Sequence, residues 1–141
     1  MPPPAGGGTA RKDQGMVYNI LAIAVGASIG AVVRWFLGLA FNGLVPLLPM
    51  GTLIANLAGG YLIGVMLGVV ALFPQFPDVA RLCIITGFLG ALTTFSTFSG
   101  EVVLLIQERH ILAATTLAGM HLLGSLALTA LGIATVLFFV K

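Results

Sequence analysis

Apolar residues fill four long stretches of the chain, at about residues 17–41, 52–73, 79–109 and 111–140. Each is longer than the roughly 20 apolar residues that a helix needs to cross a bilayer. The turns between them are short: Asn42 to Gly51 carries two prolines and no charge, and Pro74 to Asp78 reads PQFPD. The pattern predicts an all-α membrane protein with four transmembrane helices in residues 17–141. Residues 1–16 are rich in Pro and Gly and are expected to form a disordered tail. Arg11 and Lys12 precede a span too long for a signal-peptide core.

Within the spans, small residues recur at helical spacing. Gly26 and Gly30 form a GxxxG pair, and Gly60, Gly64 and Gly68 form a second stripe. Both permit close helix approach. The third stretch departs from the pattern. It carries no charge from Leu82 to Gly100, yet Thr86, Thr93, Thr94, Ser96, Thr97 and Ser99 all bear hydroxyls. Such a run is not a plain lipid-facing helix, and 79–109 is too long for one straight span. The expectation is a helix that breaks near Gly90 and restarts near Thr93. Irregular backbone at membrane depth is tolerated where protein or a water-filled cavity covers it, and broken helices place ion sites at their half-helix ends.

Composition agrees with lipid as the main solvent. Of 141 residues, 59% are hydrophobic and only 7% charged, against about 25% charged in a soluble domain. Six basic residues against four acidic give a net charge of +2. They form no patch or helix face, so nucleic acid is not an expected partner. The lone Cys83 has neither a disulfide partner nor a metal spacing and reads as a small core residue. No base and nucleophile pair up and no carboxylates do, so an enzyme is not expected.

The few polar residues inside the spans are the candidate chemistry. Arg34 reads either as a cation snorkelling to the interface or as one drawing anions to a pore mouth. Asn56, one turn after Thr52, reads either as a helix-to-helix hydrogen bond or as an amide donor facing a conduit. Phe95 and Phe98 share a helix face, as packing or as pore lining. Glu101, one turn past Thr97, is an interfacial residue or a gate. His121, Ser125 and Thr129 form a polar stripe with a spacing of four. With four spans, one side holds Arg11, Lys12, Arg81 and Lys141, and the other holds Arg109 with Arg34 near its edge. Without the tail the sides balance, which permits insertion in both orientations.

Taken together, GASIGAVVRW, GTLIANLAGGYLIG, TGFLGALTTFSTFSGE and LLGSLALTALG resemble the Fluc (CrcB) fluoride channels, in the right order and over all but the tail and loops. The resemblance implies a dual-topology antiparallel homodimer in the cell inner membrane, two pores, and passive export of cytoplasmic fluoride. It implies that Asn56, Phe95 and Phe98 line the fluoride path, with Ser125 and Thr129 as its polar track. It places Glu101 near the pore end and gives Arg34 the part of the first-helix arginine. It implies that the carbonyls of Gly90 and Thr93, from both copies, hold a structural sodium ion that is not transported. Many members carry Gly-Gly where this chain has Gly90–Ala91, a harmless departure for ligation by backbone. The physics is compatible. Amide and hydroxyl donors offset dehydration of a small halide, and phenylalanine edges are positive.

Three rival readings remain at this point. A small proton-coupled multidrug exporter needs an ionisable carboxylate deep in the membrane, for which only Glu101 is available. A haem-binding bundle would need His110 and His121 at matched depth. A purely structural subunit leaves the hydroxyl cluster unexplained.

Overall fold

A computed structural model describes residues 7–140, with side-chain surroundings from residue 13 onward. Helix α1 (Gly7–Phe41) starts earlier than expected: Gly7 to Met16, assigned to a tail by composition, continues the first helix. The first six residues of that expected tail lie outside the described ones. Helix α2 (Met50–Leu72) follows. The third stretch divides into α3 (Asp78–Arg81), a π-helical segment (Leu82–Leu89), α4 (Gly90–Leu92) and α5 (Phe95–Gln107). Helix α6 (Ile111–Phe139) completes the described chain. Four spans, Asp13–Phe41, Met50–Leu72, Asp78–Gln107 and Ile111–Phe139, are long and apolar enough to cross a membrane.

The glycine stripes set the packing. An added Cβ at Gly26 or Gly30 would run into the backbones of Cys83 and Phe88 in the π-helical segment. One at Gly64 would strike the Thr129 carbonyl, and one at Gly132 would strike the Tyr61 carbonyl. So α1 lies against the π-helical segment and α2 against α6, each with backbones nearly touching. Dispersion between close backbones is the main attraction available where lipid is as apolar as the side chains.

The interior is correspondingly small. Ala55, Leu89 and Leu92 form one buried cluster and Leu105, Ala114 and Leu117 another. Large apolar side chains such as Trp35, Phe36, Leu112 and Phe138 point outward. In water that surface would drive aggregation, whereas acyl chains solvate it.

The turn between α5 and α6 is a Schellman motif. The His110 N–H reaches the Leu105 carbonyl at 2.8 Å and the Arg109 N–H reaches Ile106 at 3.0 Å. Its left-handed position, usually glycine, is held by Arg109 at φ 65°.

Candidate functional site

The break falls later than Gly90. Gly90 is helical, at φ −62° and ψ −34°, and α4 runs on through Leu92. The extended residues are Thr93 (φ −83°, ψ 153°) and Thr94 (φ −152°, ψ 117°). The expected restart near Thr93 therefore moves to Phe95. Glycine was the visible breaking signal, but a side chain from another helix sets the position. Asn56 Oδ1 accepts the Thr94 N–H at 2.7 Å, and Asn56 Nδ2 donates to the Thr94 carbonyl at 3.0 Å. The amide thus pairs with Thr94 as a neighbouring strand would.

Two more groups finish the ends. Thr94 Oγ1 accepts the Thr97 N–H at 3.2 Å and caps α5. Arg34 Nε donates to the Ala91 carbonyl at 2.9 Å, placing a cation at the C-terminal end of α4. This is where a helix dipole favours one. Arg34 thus reaches inward to the break.

These bonds divert two donors. In an unbroken helix the Thr94 N–H would bond Gly90 and the Thr97 N–H would bond Thr93. The first goes to Asn56 and the second to the Thr94 hydroxyl. The Gly90 and Thr93 carbonyls are left without their helical partners, at the negative end of α4. No cluster of three or more His, Cys, Asp or Glu able to hold a metal occurs among the described residues. Carbonyl oxygens are hard ligands suited to a hard cation, so these two groups fit the expected sodium ion. Just beyond the break lies the N-terminus of α5, which favours an anion.

A cavity of about 470 Å³ opens beside the break and gathers most of the expected residues. Asn56, Gly90, Thr93, Phe95, Phe98, Ser125 and Thr129 all line it, whereas Arg34 and Glu101 do not. Phe95 and Phe98 meet edge to face, with centroids 5.5 Å apart. Phe95 stays 78% exposed. Thr129 Oγ1 donates to the Gly60 carbonyl at 2.9 Å, so its proton is held within the protein. Above the cavity, Thr52 Oγ1 donates to Glu101 Oε1 at 2.6 Å, and Glu101 Oε2 is buried without a partner. Along α2, Thr52, Asn56 and Gly60 thus each meet a polar partner one turn apart.

Two contributors were only half legible in the sequence. His121 belonged to the polar stripe but not to the expected site. It stacks on Phe98 at 4.5 Å and lies 3.0 Å from Asn56 through Nδ1. Thr52, noted only for sharing a face with Asn56, is the partner of Glu101. The four-residue spacings of both stripes carried this signal, but spacing alone names no partner.

Residues 21–133 match the family described as CrcB-like protein, Camphor Resistance (CrcB). A protein of Tolumonas auensis is 56% identical over 120 residues, covering 85% of this chain and 94% of the relative. One of Chromobacterium violaceum is 54% identical over 120 residues, covering 85% and 95%. One of Pseudomonas syringae pv. maculicola is 51% identical over 118 residues, covering 84% and 93%. All three relatives are named fluoride-specific ion channel FluC. A match across all four spans, at this identity, places the chain in the CrcB family as a multi-pass membrane protein.

Proposed function

We propose that this protein is a fluoride channel that lets cytoplasmic fluoride leave the cell passively across the inner membrane, and that it is not an enzyme. The observation that carries the reading is the break at Thr93–Thr94, clamped by Asn56 beside a cavity lined by Phe95, Phe98 and Ser125. It combines the positive end of α5 with aromatic edges and a hydroxyl, all weak partners for an anion. None is a mobile cation that would trap the ion. The relatives' names point the same way.

The working unit is an antiparallel homodimer of two oppositely inserted copies. One chain offers a cation the Gly90 and Thr93 carbonyls, too few to fill its shell, and a second copy crossing at the break would complete the shell around a structural, untransported sodium ion. The exposed Phe95 ring would be covered by the same partner. The path runs past Asn56, Phe95, Phe98, Ser125 and Thr129, with Glu101 near one end and Arg34 bracing the break. The exporter reading loses ground. Its required carboxylate, Glu101, is tied to Thr52, and the relatives are named as channels.

Purified protein in liposomes loaded with fluoride or chloride tests this. Efflux that is fluoride-selective and indifferent to a proton gradient is expected. Flux no faster than from protein-free vesicles, or equal for both halides, would overturn it.

A further inference from the structure

The hydrogen bonds around Asn56 fix the protonation pattern of His121. The orientation of the Asn56 amide is not free, because Oδ1 faces the Thr94 N–H and Nδ2 faces the Thr94 carbonyl. Turning the amide over would oppose donor to donor and acceptor to acceptor. Nδ2 therefore carries the two amide protons; one goes to Thr94, and the other points to His121 Nδ1 at 3.0 Å. A ring nitrogen that accepts carries no proton, so a neutral His121 holds its proton on Nε2.

That Nε2–H group has no partner. His121 is only 4% exposed, and Nε2 is buried without a hydrogen bond. An orphaned buried donor is destabilising, and it is strongly favourable for it to find an acceptor. The ring lines the cavity beside the break together with Asn56, Phe98 and Ser125. Meanwhile both Asn56 N–H groups are engaged within the protein, and so is the Thr129 hydroxyl proton.

We propose that His121, through Nε2–H, is a hydrogen-bond donor to the permeating anion, and that Asn56 is a positioning residue that fixes the tautomer. This rests on the fluoride-conduction reading above. The ligand class is a small, hard, desolvated anion, because a compact acceptor fits a single buried N–H. Nε2 is closed to water in the resting structure, so an anion reaches it only when a neighbour yields. Phe98, stacked on the ring, is the neighbour the structure identifies.

The test uses full-length protein in lipid with ¹⁵N-labelled histidine. The chain has two histidines, and a His121→Phe variant assigns which signals belong to His121. In the wild type, His121 Nδ1 should be pyridine-like and Nε2 pyrrole-like, and sodium fluoride but not sodium chloride should shift Nε2. Asn56→Asp, which turns the donor into an acceptor, should move the proton to Nδ1. In liposomes, His121→Phe keeps the stacked ring but loses the donor, and flux should fall about tenfold, the value of one hydrogen bond to a charged group. His121→Gln, whose amide N–H reaches a similar point, should restore most of that loss. A pyrrole-like Nδ1 in the wild type, an Nε2 signal indifferent to fluoride, or undiminished flux in His121→Phe would each overturn the proposal. If the wild type conducts no fluoride, the conduction reading falls by itself, and the tautomer and the fluoride shift still decide whether His121 binds the anion.

Discussion

Asn56 has no spare proton on its amide, so replacing it should disturb the break as well as the path. Asn56→Asp loses both donated bonds and sets a carboxylate against the Thr94 carbonyl. It should abolish fluoride flux and cost about 1–3 kcal/mol of stability, since one side of a part-buried hydrogen-bonded pair is removed; flux assays and thermal unfolding in detergent check both parts. Phe95→Ile and Phe98→Ile should each slow fluoride flux while the dimer still elutes intact, and normal conduction in both would reduce the rings to packing. Arg109 makes a separate prediction. A non-glycine residue in the left-handed region costs about 1 kcal/mol or more, so Arg109→Gly should raise thermal stability by about that amount. At this scale the sequence was legible by residue type. An amide, two phenylalanines and a hydroxyl cluster in an apolar run all marked the site. The bond from Asn56 to His121 was not, because 65 residues separate them and no local rule pairs them.

Among the elements, the four spans were legible from hydropathy alone, and their ends moved by only a residue or two except at α1. The break was legible in kind but not in place. Gly90 is a weak helix former, yet it is helical, because tertiary hydrogen bonds at Thr94 outweigh local propensity. The π-helical segment left no recognisable pattern, since widening a turn needs no special residue. Its close contact with α1 depends on Gly26 and Gly30, which were visible. Thr94 is the element-scale lever. Thr94→Ala removes the α5 cap and should destabilise the protein by about 1 kcal/mol, and it frees the Thr97 N–H to return to the Thr93 carbonyl. Gly64→Ala would press a methyl into the Thr129 carbonyl where α2 crosses α6. A loss of roughly 1–3 kcal/mol is expected for such overpacking, measurable as a lower unfolding temperature.

For the whole molecule, the proposed antiparallel arrangement rests on the balance of charge. The charge balance expected from the sequence outside the tail is even when Arg34 is counted by its position near the end of the first span, so single cysteines placed near either end of the chain should be labelled from both faces of the membrane. Strictly one-sided labelling would rule out two orientations and, with them, the antiparallel pair. If a sodium ion joins two copies as proposed, exchanging sodium for a bulky organic cation should weaken the dimer, read as a shift toward monomer on sizing.

The clamp of Asn56 on Thr94 has a further consequence for anyone redesigning the protein. In the proposed channel, the amide that accepts the Thr94 N–H would both bound the halide's passage and leave the Gly90 carbonyl open to the proposed sodium ion. Loosening that clamp to admit chloride would hand the Thr94 N–H back to Gly90 and strip the metal of a ligand. On the proposed dimer, wider selectivity and a firmly joined pair would therefore be opposed goals in this scaffold.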